Sequence, residues 1–171
     1  MASGSRWRGG LLLGQTANAQ EQISTSLTIN TYVEASCEVV STDSINFGTY
    51  DPVGVNAQLP LRASGSVSVR CTNGTSNVQI ALGQGGNPLG ASNCSVPLRR
   101  MGSLKGQYLQ YGIYQDVSES QVWGCAESNQ RLLPPFTTLT PVTVYTYGIV
   151  PAGQDVSEGQ YRDNVEVSVT F

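Results

Sequence analysis

Histidine is absent from the 171-residue sequence, and lysine occurs once, at Lys105. The first absence removes the commonest general base, the commonest metal ligand and every Ser-His or Cys-His nucleophile pair. The second, with a formal charge of −3, leaves no basic surface to follow a phosphate backbone by displacing counterions, which excludes nucleic-acid binding. Past the amino-terminal segment no stretch approaches the roughly 18 apolar residues of a membrane span, so no membrane insertion is expected. No 3.6-residue apolar stripe runs longer than two turns, and no helix is predicted. The four cysteines, Cys37, Cys71, Cys94 and Cys125, have no C-x-x-C spacing, which leaves a zinc or redox motif without support. No catalytic residue, cofactor or metal is therefore expected.

What is there is an ordinary globular composition with 39% hydrophobic residues and 19 glycines, enough for one domain. Val, Ile and Tyr come in short bursts between turn signals, which favours an all-β chain. Predicted strands cover residues 32–40, 44–47, 65–71, 77–82, 96–101, 107–115, 121–124, 137–150 (in one or two pieces) and 161–171. Asp51-Pro52, Asn73-Gly74, Gly85-Gly86-Asn87-Pro88 and Pro151-Ala152-Gly153 punctuate them. Several short strands at this spacing indicate a β-sandwich with immunoglobulin-like layering.

Residues 1–19 read as a leader or an added segment. Arg6 and Arg8 precede Leu11-Leu12-Leu13, and Ala17-Asn18-Ala19 forms a small-x-small cleavage site before Gln20. The apolar run is shorter than the roughly 7 to 15 residues of a working signal, which leaves the true start open. Export follows, and without Arg6 and Arg8 seven bases face twelve acids, a net charge of −5. An even cysteine count in an exported chain indicates two disulfides. Three pairings are possible; Cys37 with Cys71 and Cys94 with Cys125 is favoured because each pair lies in or beside segments that can be sandwich neighbours.

Between residues 23 and 39 the odd positions are Ile23, Thr25, Leu27, Ile29, Thr31, Val33, Ala35, Cys37 and Val39, and the even ones are polar except Tyr32. Seventeen extended residues would run about 56 Å, whereas a globular strand usually has 3 to 10 residues. The second half, tied in by Cys37, serves as the domain's own first strand. The first half, residues 20–30, is then a strand without a sheet, unless it packs as an arm on its own domain. At the other end Val165, Val167, Val169 and Phe171 alternate with Glu166, Ser168 and Thr170, a half-buried edge with no neighbour. A strand without a sheet and an edge without a strand together describe β-strand addition between molecules.

At this point the sequence resembles the spore coat protein U-like domain family, shared by subunits of archaic chaperone–usher pili. The resemblance rests on Cys37, on Ser44-Ile45-Asn46-Phe47-Gly48-Thr49-Tyr50-Asp51-Pro52 and on Gly65-Ser66-Val67-Ser68-Val69-Arg70-Cys71-Thr72. It continues through Arg99-Arg100-Met101, the segment from Tyr108 to Asp116, Val122-Trp123-Gly124, Tyr147-Gly148, Ile149-Val150-Pro151-Ala152-Gly153-Gln154, Gly159-Gln160-Tyr161-Arg162-Asp163 and the final Val-x-Val-x-Phe. It implies an incomplete immunoglobulin-like sandwich, residues 31–171, lacking its last strand. A periplasmic chaperone fills the gap, an outer-membrane usher hands the subunit on, and the extension of the next, identical or related, subunit replaces the chaperone. Carried onto this chain, Ile23, Thr25, Leu27 and Ile29 form the donor strand. Val33, Ala35, Val165, Val167, Val169 and Phe171 line the acceptor groove. The Cys37–Cys71 pair matches the family's common disulfide; a Cys94–Cys125 pair occurs in some members.

The implied product is a homopolymeric, extracellular fibre for adhesion and biofilm formation, with this chain as a rod or adaptor subunit. A coat or surface-layer protein, and a monomeric carbohydrate-binding module, are the alternatives. Gly83-Gln84-Gly85-Gly86-Asn87 lacks the Gly-Lys-Ser/Thr ending of a phosphate loop and reads as a surface turn. Asp51, Asp116, Glu119, Asp155 and Glu158 read as loop carboxylates. Trp123, Tyr108, Tyr111 and Tyr114 read as core aromatics, with a sugar-binding surface as the other use of such rings.

Overall fold

The structure, a computed structural model, describes residues 20–171. The expected leader, residues 1–19, lies outside them. The chain divides into a unit ending at Tyr32 and a second unit, Val33–Phe171.

The second unit is a two-layered antiparallel β-sandwich. Its strands are β1 (Cys37–Asp43), β2 (Leu61–Cys71), β3 (Gln79–Leu82), β4 (Arg99–Ser103), β5 (Tyr108–Tyr114), β6 (Arg131–Leu132), β7 (Val142–Val150), β8 (Tyr161–Arg162) and β9 (Val167–Thr170). One sheet has the order β1-β2-β7-β5-β4-β8 and the other β6-β3-β9. Single 3-10 turns at Val55–Ala57 and Glu127–Asn129 are the helical elements among the described residues. β2 and β7 form the longest ladder, running from Leu61↔Val150 to Val69↔Val142. Alternation explains them: Val67 and Val69 of β2, and Val144 and Val150 of β7, are buried against Ile80 and Leu82 of β3. Between the layers lies the fully buried Trp123, whose ring N–H donates to the Ile80 carbonyl at 2.9 Å.

A buried cation sits beside it. Arg99 is 1% exposed; its Nε donates to the Gly83 carbonyl at 2.8 Å, and its Nη2 to those of Leu82 and Trp123 at 3.0 and 2.9 Å. Burial pulls the guanidinium pKa below its ordinary value. The Tyr111 hydroxyl donates to Asp163 Oδ2 at 2.6 Å. Burial, then this bond, pushes the phenol pKa far above its ordinary 10. A phenol held neutral only in the folded state stabilises fully below pH about 10, and the contribution is lost as pH rises above it, because the unfolded chain ionises first. We expect the urea midpoint to fall between pH 9 and 11 and this fall to be shallower in Tyr111→Phe; equal slopes would contradict the assignment.

Cys37 is joined to Cys71 and Cys94 to Cys125. The first bridge ties β1 to β2 between directly opposed residues whose Cα atoms are 4.1 Å apart. Opening its 34-residue loop by Cys37→Ser with Cys71→Ser is expected to cost about 2 to 4 kcal/mol in equilibrium unfolding.

Several predicted strands differ: those over 96–101 and 137–150 begin only at Arg99 and Val142, that over 65–71 begins already at Leu61, and four more change as follows. The first begins at Cys37, not at residue 32: residues 33–36 carry no strand, although Thr72 N–H still donates to the Ser36 carbonyl. Residues 44–47 form none, because Ile45 and Phe47 turn their side chains onto the inner face of the large sheet. A Cβ at Gly148 would stand 2.7 Å from Ile45 and 2.8 Å from Phe47. Residues 121–124 contribute a single bridge, Tyr114↔Val122. Residues 161–171 split between the sheets, β8 pairing with β4 and β9 with β3. Asp163 pins this crossing by accepting from the Tyr111 hydroxyl and from the Gly86 N–H at 2.8 Å.

Candidate functional site: two free sheet edges

The two sheets have four edges, and their lengths separate them. β6 and β8 are two residues each, too short to template another strand. β1 is seven residues long and β9 four. These two end strands, one from each sheet, come within 8 Å of each other (Cα–Cα) without pairing. The sandwich is open along this side.

Backbone direction follows from the register. In an antiparallel ladder the residues that exchange hydrogen bonds alternate with residues whose N–H and C=O point to the far side. Gly83 N–H donates to the Glu166 carbonyl, whereas Leu82, opposite Val167, donates away from β9 to Gly124. Ser168 and Thr170 therefore bond toward β3, and the backbone groups of Val167 and Val169 point out of the free edge. On β1 the Thr72–Ser36 bond fixes the same alternation, so that Cys37 and Val39 present their backbone groups outward. A bulge at Val40 then shifts the register.

The side chains agree with the backbone. Val165, Val167 and Val169 pack on the core yet remain half-buried, and Phe171 is 53% exposed. Their polar neighbours Glu166, Ser168 and Thr170 are exposed. The β9 edge thus offers apolar side chains and unpaired backbone along one line, which an extended segment with period-2 alternation would satisfy. Val33, 73% exposed, and Ala35 lie in the irregular chain before β1, off the strand expected to hold them. In the amino-terminal unit residues 20–32 carry no strand; Ile23, Leu27 and Ile29 are 93, 85 and 86% exposed, and Thr25 is exposed too.

Among the described residues no group of three or more acidic, histidine or cysteine side chains is placed to hold a metal, and no helix is long and apolar enough to cross a membrane. Two of the loop carboxylates are committed to local turns, whereas Glu119 pairs with Arg62 across 57 residues. Asp51 accepts from the N–H groups of Val53 and Gly54, and Asp116 from those of Ser120 and Gln121. Of the aromatics read as core, Trp123 and Tyr111 are buried and Tyr114 is half-buried. Tyr108 is instead 44% exposed beneath the Arg100 guanidinium, 4.1 Å from the ring centre. The Arg99 and Asp163 anchors were not foreseen; their only signal was their place in motifs of the family resemblance.

A two-sheet antiparallel sandwich with one long open side is an immunoglobulin-like fold of the pilin type. Two solved structures share it. The crystal structure of the CsuC–CsuE chaperone–tip adhesion subunit pre-assembly complex from archaic chaperone–usher Csu pili of Acinetobacter baumannii matches with a TM-score of 0.56 and 25% identity, over 81% of this chain and 40% of that one. A structure of a chaperone–usher pilus concerned with rod uncoiling matches with a TM-score of 0.52 and 17% identity, over 91% of this chain and 99% of that one. Residues 23–168 match the Spore Coat Protein U domain. Protein U of Myxococcus xanthus is 44% identical over 131 residues, 75% of this chain and 72% of that protein. The chain belongs to the Spore Coat Protein U domain family, whose matched relatives are structural proteins; it is not an enzyme.

Proposed function

We propose that this chain is a structural subunit, rod or adaptor, of an archaic chaperone–usher pilus, exported through the periplasm and polymerised by donor-strand exchange into a surface fibre for adhesion and biofilm formation. The observation that carries the reading is the pair of unpaired end strands, β1 and β9, flanking half-buried valines. In this reading Ile23, Thr25, Leu27 and Ile29 of one molecule fill successive positions of the next. The acceptor groove is Val165, Val167, Val169 and Phe171 on one side and, on the other, β1 with Val33 and Ala35 before it. A periplasmic chaperone covers the groove until an outer-membrane usher exchanges it for the neighbour's segment. Ladder bonds supply affinity and the alternate side chains set register, since a one-residue slip would turn every apolar group outward. A chain with both a donor segment and a groove can continue a polymer in both directions, which suits an internal position.

The 44% identity to Protein U favours a second use of the same domain, in a spore coat or surface layer. Electron microscopy of cells with and without this chain separates the two. Thin filaments that vanish on deletion support the pilus; loss of a continuous layer with no filaments in either strain overturns it.

A further inference from the structure

The outer face of the large sheet, opposite the core, carries two concavities. Register places them side by side. Leu109, Tyr111 and Ile113 of β5 are buried, so Gln110, Gly112 and Tyr114 face outward. Across the strands Gly112 faces Ile149 and Tyr114 faces Tyr147; Tyr147 in turn faces Ser64, and Ile149 faces Arg62. One concavity, of about 170 Å³, is lined by Arg100, Gln110, Tyr114 and Ile149. The other, of about 290 Å³, is lined by Ser64 and Tyr147 from the sheet, Val117 and Glu119 from the loop after β5, and Arg62.

The larger one is held by a two-pronged ion pair: Arg62 Nε donates to Glu119 Oε1 at 2.5 Å and Nη2 to Oε2 at 3.3 Å. Glu119 adopts φ 59°, a left-handed conformation uncommon for a long side chain, and this turns its carboxylate toward β2. The loop is fixed by Asp116, which accepts from the Ser118 and Ser120 hydroxyls and from the Ser120 and Gln121 N–H groups. In the smaller concavity the Tyr114 ring lies along the sheet, because a Cβ at Gly112 would stand 2.9 Å from it. Tyr145, one step along β7 on the same outward face as Tyr147, is 62% exposed.

Two tyrosine rings on a rigid sheet are therefore bordered by planar donors and acceptors. In the larger concavity the charges pair with each other, and in the smaller the Arg100 guanidinium lies over the Tyr108 ring and donates to the Asn87 and Pro88 carbonyls, so no free charged group is presented to a ligand. The complementary ligand is itself uncharged, with one apolar face and a rim of hydroxyls. We propose that this trough binds a neutral oligosaccharide, with one sugar ring against Tyr147 between Ser64 and the Arg62–Glu119 pair, and a neighbouring ring against Tyr114 beside Gln110. The site lies within one subunit and stands whether or not the chain polymerises.

The test titrates the full chain, as fibre or monomer, calorimetrically with neutral cello-, malto-, laminari- and chito-oligosaccharides, and with a uronic-acid oligosaccharide and a short uncharged peptide as comparators. At least one neutral sugar is expected to bind, with an affinity insensitive to salt. Tyr147→Ala should weaken it about tenfold, the loss of one aromatic platform, and Tyr147→Phe much less. Hydrogen-exchange protection of the unmodified chain should fall on residues 62–64, 116–121 and 147, which keeps the test decisive if Tyr147→Ala fails to fold. Binding by none of the neutral sugars, by the peptide alone, or by the charged sugar alone with steep salt dependence overturns the proposal. So does protection elsewhere.

Discussion

Replacing Leu27 and Ile29 together by aspartate is expected to yield a subunit that folds and is held by its chaperone yet adds no length to a fibre. Both side chains stand in water in the isolated chain, 85 and 86% exposed, so nothing in the folded unit is lost by changing them. In a neighbour's groove each would bury an aliphatic side chain, a contribution of about 1.5 to 3 kcal/mol, or about 3 to 6 kcal/mol for the pair. At about 1.4 kcal/mol per tenfold, that alone weakens the junction by about two to four orders of magnitude. Two carboxylates facing the half-buried Val167 and Val169 add a desolvation cost on top. Ser26→Asp with Thr28→Asp is the matched control, since these positions fall on the opposite face of the segment and keep the alternation. Fibre yield is read by electron microscopy and by the ladder of heat-labile multimers on gels. If the Leu27/Ile29 variant polymerises like the unmodified chain, residues 23–29 are not the donor strand.

How much of this was legible in the sequence depended on whether the relevant contacts were local. The half-burial of Val165, Val167 and Val169 could be read directly, because a strand with one wet face writes its burial into every second residue. Residues 107–115 were legible for the same reason; residues 65–71 were legible from the alternation of Val67, Val69 and Cys71 with polar residues, although Ser66 and Ser68 are buried too. Residues 161–171 read as one strand because their polarity pattern barely breaks. The division into β8 and β9 depends on Asp163 meeting Tyr111 and Gly86, contacts 52 and 77 residues away that no window contains. Ile45 and Phe47 carry a strand's alternation but spend it on covering Gly148, whose missing side chain makes room for them. The trough on the outer face rests on an ion pair spanning 57 residues, so Glu119 read as one more loop carboxylate.

Arg99 was the least legible of the structural residues, since an arginine is ordinarily read as surface, and it is expected to be among the most costly to replace. Arg99→Met keeps much of the side chain's length and removes its donors. Three carbonyls, those of Leu82, Gly83 and Trp123, then lose their partners at the junction where the end of β3 meets the Trp123 segment. Leaving buried acceptors unpaired costs about 1 to 3 kcal/mol each, partly relieved if water reaches them. Against this, removing a buried cation recovers its own desolvation, whose sign is seen in the lowered guanidinium pKa. Three acceptors against one recovered charge leaves a net loss of about 3 to 5 kcal/mol, a large share of the 5 to 15 kcal/mol typical of a domain. In urea, at about 2 kcal/mol per molar, the midpoint should fall by about 2 M. Arg100→Met provides the contrast on the adjacent residue: its guanidinium lies over the half-exposed Tyr108 ring and donates to the Asn87 and Pro88 carbonyls near solvent, so about 1 kcal/mol is expected. Equal midpoints for the two variants would mean that the Arg99 bonds contribute no more to holding β3 against the Trp123 segment than the surface bonds of Arg100 do to their own loop.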